Sequence, residues 1–262
     1  MDLRLEGKVA LLTGASRGLG KAAATEMARA GARVVISARG PDLDQTAEEI
    51  RQITNAEVLP IRADLIQADD ITRLVRTAME QMRQIDVLFL NAGGPPTGGF
   101  LDLSPEDWER GFQLTVMSSV RLCYAVVPHM IERGSGSILA NQSFTVETPA
   151  QNLTLSNALR LSVIGLVRTL ANELGPKGIR VNAINAGWTR TERVDQIMSS
   201  RADLSGASAE AEAAKVAGKI PLRRMADTEE FGRAAAWLAS PAASYVHGHS
   251  FFVDGGLTQT SL

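Results

Sequence analysis

Short runs of Val, Ile and Leu alternate with longer amphipathic segments along the chain. The apolar runs predict strands at residues 8–13, 33–38, 57–61, 86–90, 137–141, 180–185 and 250–253. Between them, periodic apolar positions predict helices at residues 19–30, 42–53, 71–82, 105–131, 156–174 and 228–238. The runs are apolar at successive positions, which is typical of parallel strands covered on both faces. The pattern therefore predicts an α/β fold: a doubly wound parallel sheet between two helical layers, as a single domain over residues 1–262.

One stretch, residues 189–219, departs from this alternation. It follows the sixth predicted strand and is rich in Ala, Ser and Glu. Ligands of such sheets bind outside the carboxyl ends of the strands. We therefore expect this stretch to form a small helical lid there and to select the substrate, although its composition does not indicate which substrate.

A glycine-rich string joins the first predicted strand to the first predicted helix. It reads Thr-Gly-Ala-Ser-Arg-Gly-Leu-Gly over residues 13–20. Glycines let the backbone approach a pyrophosphate closely, and the helix N-terminus offers free N–H groups and a positive dipole end. The flanking strand and helix distinguish it from an ordinary turn. The predicted dinucleotide contacts in this string are Gly14, Ser16, Arg17, Gly18, Leu19 and Gly20.

The end of the second predicted strand bears on the choice of dinucleotide. An NAD site usually places a carboxylate there for the ribose 2′-hydroxyl, but this chain has Ala38 followed by Arg39. Arg17 adds a second guanidinium from the glycine string. Two guanidiniums without an acid favour a 2′-phosphate. NADP(H) is thus the predicted cofactor, with NAD(H) possible; the alternative is that Arg39 is a solvated loop residue.

Composition and charge argue against several other classes of protein. The 27 basic and 29 acidic side chains give a net charge of −2, which is not typical of nucleic-acid-binding proteins. The single cysteine and three histidines predict neither a disulfide framework nor a metal site. We find no uninterrupted apolar run of about 18 residues and no apolar leader at the start of the chain. We therefore expect a cytoplasmic protein without a nucleic-acid or membrane partner.

Further short motifs follow later predicted strands: Asp64-Leu65, Asn91-Ala92-Gly93, and a segment over residues 187–191. With the glycine string, they resemble the short-chain dehydrogenase/reductase family, notably its 3-oxoacyl-carrier-protein reductase-like branch, over about residues 5–256. The resemblance implies a Rossmann-type fold, a homotetramer or homodimer, and hydride transfer between a nicotinamide and a carbonyl or alcohol carbon. It also implies that the cofactor contacts include Asp64, Leu65, Asn91, Ala92, Gly93, Gly187, Thr189 and Thr191.

The catalytic positions depart from the family's pattern, which pairs Tyr-x-x-x-Lys with a preceding Ser and an upstream Asn. Ser143 matches the Ser position. Ser156 and Arg160 stand at the Tyr and Lys positions, and Thr115 stands at the Asn position. A count forward from Ser143 and a count back from residues 164–166 give the same register. Arg160 can still donate to a cofactor ribose, and a water between the two serines can carry the proton.

No other tyrosine can take over the family's proton step. The chain has only two, Tyr124 and Tyr245, and neither has a lysine four residues later; we interpret both as packing residues. Losing a general acid typically costs about 10²–10⁴-fold in rate. Trp188 is expected either to line the substrate pocket or to pack in the core.

Three functional hypotheses stay open. The first is an NADP(H)-dependent oxidoreductase that acts on a small-molecule carbonyl or alcohol substrate with a non-standard proton relay. The second is a catalytically inactive cofactor-binding sensor, or a non-catalytic subunit of a mixed oligomer. The third is lyase or isomerase chemistry on the same scaffold.

Overall fold

A computed structural model describes residues 2–259, and its sheet is parallel throughout. The strands are β1 (Val9–Thr13), β2 (Arg33–Ala38), β3 (Val58–Arg62), β4 (Val87–Leu90), β5 (Gly136–Ser143), β6 (Ile179–Ala186) and β7 (Ser250–Val253). They lie in the order β3-β2-β1-β4-β5-β6-β7. The predicted fold class is confirmed. The chain leaves β1 in one direction and returns beside it as β4, which opens a crevice at the carboxyl ends of these two strands.

The helices cover both faces of this sheet and lie close to their predicted positions. They are α1 (Gly18–Arg29), α2 (Leu43–Thr54), α3 (Ala68–Met82), α4 (Pro105–Phe112), α5 (Ser118–Arg133), α6 (Thr154–Leu174), α7 (Glu192–Ser205), α8 (Ala209–Lys219) and α9 (Thr228–Ala239). The helix predicted at 105–131 differs from expectation, because a π-helical segment, Gln113–Met117, separates α4 from α5. The stretch predicted to form a lid, residues 189–219, contains α7 and α8.

The helical stretch Pro105–Arg133 is long and apolar enough, by these two criteria alone, to cross a membrane. The sequence expectation overlooked it because single polar residues interrupt its apolar positions. In the structure, 44% of its most apolar window is buried, and α5 packs against α3 and β5.

Successive strand residues enter opposite cores, which explains why the runs are apolar at every position. Leu11 packs in the core beneath α3, α5 and α6, whereas Leu12 packs in the core beneath α1, α2 and α9. A third apolar cluster holds the lid, since Met198 of α7 and Val216 of α8 pack with Phe144. This cluster fixes the lid beside the carboxyl ends of the strands.

Candidate active site

A cleft of about 730 Å³ lies at the carboxyl ends of the strands. Its walls are the glycine string, the loops after β2 to β6, and the first turns of α6 and α7. Every candidate site residue named from the sequence lines this cleft, with the exception of Thr115. The structure thus brings together residues between Gly14 and Thr191 that lie far apart along the chain. We call its two parts the glycine-string end, beside Arg17 and Arg39, and the serine end, beside Ser156.

The glycine string is packed so closely that it excludes side chains. A Cβ atom on Gly20 would lie 2.2 Å from the Gly14 carbonyl oxygen and 2.7 Å from Asn91 Nδ2. Asn91 Nδ2 donates to the carbonyl oxygens of Thr13 and Gly14, at 3.1 and 2.9 Å. The Asn91 side chain therefore holds the string in place, a role that the sequence did not predict.

The first turn of α1 suits a dinucleotide diphosphate. No side chain caps this helix, and no acidic residue lies in its first turn. Its first N–H groups therefore keep their capacity to donate hydrogen bonds, and the positive end of the helix dipole meets no carboxylate on α1 itself. This donor set, together with the bare backbone around Gly20, fits a bound dinucleotide.

Both arginines at the glycine-string end already face carboxylates. Arg17 Nη1 lies 2.6 Å from Glu192 Oε2, and Arg39 Nη1 lies 3.6 Å from Asp64 Oδ2. The Arg17 and Arg39 side chains are 63% and 59% exposed. Exposed pairs of this kind contribute only about 0–1 kcal/mol, so a phosphate group can compete for either guanidinium.

The serine end is built around a contact between Ser156 and Arg160 on α6. Arg160 Nε donates to Ser156 Oγ at 3.0 Å, and Thr145 Oγ1 lies 3.2 Å from the same oxygen. Arg160 Nη1 also donates to the Asn141 carbonyl oxygen at 3.3 Å and to Gln142 Oε1 at 3.4 Å. Four residues separate Ser156 from Arg160, so one helix face presents both side chains. Arg160 therefore contacts Ser156 directly.

Ser143 and Thr115 have different surroundings. Ser143, the last residue of β5, lines the cleft, and its hydroxyl accepts from the Thr145 N–H at 3.2 Å. Thr115 is buried in the π-helical segment, and its hydroxyl has no hydrogen-bond partner within residues 2–259. Its carbonyl oxygen accepts from Ser119 Oγ at 3.1 Å. Thr115 thus is buried and does not line the cleft.

A second arginine, Arg193 of α7, lines the serine end and was not singled out from the sequence. Its Nη2 donates to the Pro95 carbonyl oxygen at 2.6 Å, and a Cβ on Gly94 would lie 2.9 Å from its Nε. Within the described chain, neither Arg193 nor Arg160 has a carboxylate oxygen within 4.0 Å. Burial, reinforced by the charge of Arg193, lowers the pKa of Arg160 to about 10. The only feature of the sequence that could have pointed to Arg193 as a site residue was its position two residues after Thr191.

The aromatic residues correct one interpretation and refine another. Tyr124 is 80% exposed and Tyr245 is fully exposed, so interpreting them as packing residues was wrong. Neither lines the cleft. Trp188 both lines the cleft and packs in the lid core, with its ring centroid 5.4 Å from that of Phe144. The Arg201 guanidinium lies 4.9 Å from the centroid of the Trp188 ring.

Histidines and acids do not assemble into a metal centre in the described part of the chain. Across residues 2–259, no group of three or more His, Cys, Asp or Glu side chains is placed to hold an ion. His247 instead joins two backbone groups: its Nδ1 accepts from the Val181 N–H at 3.2 Å, and its Nε2 lies 2.8 Å from the Ala171 carbonyl oxygen.

Comparisons with known proteins agree with this architecture. A family model described as enoyl-(acyl carrier protein) reductase matches residues 14–258. The chain is 33% identical over 259 residues to 7alpha-hydroxysteroid dehydrogenase of Escherichia coli K12, covering 98% of this chain and 97% of that one.

Solved structures show the same likeness. L-sorbose reductase from Gluconobacter frateurii, complexed with NADPH and L-sorbose, has a TM-score of 0.94 and 30% identity, with coverage of 99% of this chain and 100% of that one. A 7 alpha-hydroxysteroid dehydrogenase complexed with NADH and 7-oxo glycochenodeoxycholic acid has a TM-score of 0.85 and 31% identity, with coverage of 98% and 97%.

Proposed function

The chain belongs to the short-chain dehydrogenase/reductase family of NAD(P)-dependent oxidoreductases, and on that premise we propose that it is an NADP(H)-dependent carbonyl reductase or alcohol dehydrogenase. Ser156 and Arg160 serve in place of the family's tyrosine and lysine. The observation that carries this proposal is the 3.0 Å hydrogen bond from Arg160 Nε to Ser156 Oγ.

This hydrogen bond makes Ser156 a better acid than an isolated serine. A cationic donor stabilises the anionic form of the oxygen that it contacts, and such stabilisation lowers the pKa of a hydroxyl. Arginine can only donate, so its contact leaves the hydrogen of Ser156 to be donated to Thr145 Oγ1 or, once a substrate is bound, to the substrate oxygen. In the reductive direction, Ser156 Oγ gives its proton to that oxygen while Ser143 donates a hydrogen bond to it. Water in the open cleft then restores the proton to Ser156.

The glycine-string end supplies the cofactor contacts in this proposal. When bound, the nicotinamide cofactor supplies or accepts the hydride. The N–H groups at the start of α1 bind its diphosphate, and Arg17 and Arg39 exchange their carboxylate partners for the 2′-phosphate. One similar structure carries NADPH and another NADH, so the preference rests on this chain's own arginines. The backbone around Gly187 and Thr191 lines the remaining cofactor wall.

We propose further that the chain folds as a single domain and assembles as a homotetramer or homodimer through the outer faces of α4 to α6. Large apolar side chains on these helices are exposed, by 40% at Phe112, 80% at Tyr124 and 51% at Leu161. Light scattering during size-exclusion chromatography gives the mass directly. A purified protein that stays at the monomer mass at micromolar concentration contradicts the assembly.

Two measurements test the activity. Titration of NADPH and NADH by fluorescence gives the cofactor preference, which we expect to favour NADPH. Absorbance at the NADPH band then follows oxidation against ketones, enones and acyl thioesters. Failure of every substrate to oxidise bound NADPH contradicts the reductase proposal and supports the cofactor-binding sensor or non-catalytic subunit. A product with no net redox change instead supports lyase or isomerase chemistry.

A further inference from the structure

Arg160 and Arg193 bring two positive charges to the serine end from different elements, α6 and α7. Both side chains are partly shielded from solvent, and burial lowers the pKa of each. Each charge raises the cost of the other, because like charges in a shielded site repel. Two shielded guanidiniums that find no carboxylate partner within residues 2–259 are therefore an energetically costly arrangement.

A third shielded arginine shows how this protein satisfies a guanidinium that only supports the fold. Arg180 donates to five acceptors, including the carbonyl oxygens of Leu238, Ala239 and Ser240 at the end of α9. Arg193 has one hydrogen bond, to the Pro95 carbonyl oxygen. An arginine offers five N–H donors, so most of the donors of Arg193 have no partner within residues 2–259.

Contacts with the loop after β4 fix the position of the Arg193 guanidinium. Its side chain bridges from α7 to the loop after β4, and a Cβ on Gly94 would lie 2.9 Å from its Nε. A glycine at position 94 thus leaves room for the guanidinium. The hydrogen bond to Pro95 then holds it against that loop, where it faces the cleft.

We propose that Arg193, together with Arg160, binds a carboxylate of the substrate, so that the protein acts on a carbonyl or alcohol compound that carries a carboxylate group. This inference rests on the proposed function and adds a substrate class to it. Arginine recognises carboxylates by paired N–H donors in a planar fork. The Phe144–Trp188 pair gives an apolar wall for the rest of the substrate.

The alternative anion is the cofactor diphosphate, which carries similar oxygen chemistry. The uncapped start of α1 already provides donors for that group. Arg160 lies instead against Ser156, where the proposed reaction takes place. These placements favour the substrate as the source of the anion, and the experiment below separates the two.

The test uses acid and ester pairs that differ only in charge: levulinate with methyl levulinate, and acetoacetate with methyl acetoacetate. Calorimetry measures their binding to the NADP⁺-loaded protein, which cannot reduce a ketone, and to the protein without cofactor. Dihydroxyacetone phosphate with dihydroxyacetone forms a phosphate arm. The test variant is Arg193→Met. The matched control is Arg190→Met, which removes an exposed arginine at the start of the lid, where Arg190 pairs with Asp227.

We expect each acid to bind the wild type at least about 10-fold more tightly than its ester, since hydrogen bonds to charged groups are typically worth about 10- to 100-fold. Arg193→Met removes this preference, and Arg190→Met keeps it. Equal binding of acid and ester, no acid binding, or a preference that survives Arg193→Met overturns the inference. So does a stronger preference for the phosphate pair.

An Arg193→Met variant that loses NADP⁺ affinity by the same factor assigns Arg193 to the cofactor diphosphate, and this also overturns the inference. The protein without cofactor keeps the test independent of the proposed function. If the wild type binds neither NADP⁺ nor NADPH, the proposed function fails, while the acid preference is still measured.

Discussion

At the glycine-string end of the cleft each arginine lies beside a carboxylate, whereas at the serine end neither arginine does so among residues 2–259. Arg17 and Arg39 pair with Glu192 and Asp64 at side chains that are mostly exposed. Arg160 contacts only neutral oxygens, and Arg193 contacts a backbone carbonyl. The arginine charge is therefore balanced by a carboxylate at the glycine-string end and, within the described residues, is not balanced by one at the serine end.

This difference indicates how each end meets a ligand. A phosphate at the glycine-string end must displace an existing carboxylate, which costs only about 0–1 kcal/mol because these ion pairs are exposed. An anion at the serine end displaces no carboxylate and relieves the repulsion between two guanidiniums. Under the two proposals, the serine end receives charge that arrives with the substrate, and the glycine-string end discriminates between cofactors.

The largest expected effect tests the serine end through Ser156. Ser156→Ala removes the proposed proton donor and lowers kcat by about 10²–10⁴-fold, the range of general acid catalysis. The dissociation constant for NADPH stays within about threefold, because Ser156 lies at the other end. Steady-state kinetics and NADPH titration measure both quantities.

The double variant Ser156→Tyr with Arg160→Lys is the matched gain-of-function control. It restores the family's pair, and we expect kcat to rise above that of Ser156→Ala. Unchanged turnover in Ser156→Ala would show that the proton comes from elsewhere.

The next effect concerns the cofactor and the glycine-string end. Arg39→Ala weakens NADPH binding by about 10- to 100-fold, because it removes a charged donor to the 2′-phosphate. NADH binding changes little, since that cofactor lacks the phosphate. Competition titration of the two cofactors measures the ratio, and equal losses for both would assign Arg39 to a part that they share.

A smaller effect, of opposite sign, follows when the carboxylate partner is removed. Asp64→Asn keeps the size of the side chain but releases Arg39 from its ion pair. NADPH binding then tightens by a few-fold, consistent with the 0–1 kcal/mol of an exposed pair. A weaker affinity for NADPH in this variant would mean that the Asp64 carboxylate itself contacts the cofactor.

The smallest expected effect concerns stability at the serine end. Burial holds the pKa of Arg160 in the folded protein at about 10, below that of a free arginine, so its charged form disfavours folding. This cost is fully present below about pH 10 and is relieved as the pH rises above 10.

Arg193→Met therefore relieves repulsion at pH 7 while it loses one hydrogen bond to Pro95, worth about 0.5–1.5 kcal/mol. The two terms oppose each other, and the free energy of unfolding stays within about 1 kcal/mol of the wild type. Urea denaturation measures it. A loss above about 2 kcal/mol would make Arg193 a structural residue like Arg180.

Much of the fold could be predicted from the chain because its signals are local. Runs of Val, Ile and Leu fix the strands, since adjacent positions such as Leu11 and Leu12 enter two different cores. The π-helical interruption at Gln113–Met117 was not predictable, because its sequence has the same apolar period as the helices around it.

The candidate site divides in the same way. Register counting along the sequence found Ser156 and Arg160. Because they are four positions apart, they lie on one face of the helix. It could not find that Thr145 contacts Ser156, because that depends on how the loop after β5 folds back onto α6. Thr115 was assigned to the site by register; in the structure it is buried in the π-helical segment and does not line the cleft.

The sequence by itself determined the alternation of strands and helices, the glycine string, and the spacing of Ser156 and Arg160. Each of these depends on residue type and short spacing. Only the tertiary structure decided which charges remain unpaired, because ion pairs join residues that the sheet brings together. Arg193 and Pro95 are 98 residues apart in the chain, and their contact exists because parallel strands deliver their following loops to one edge.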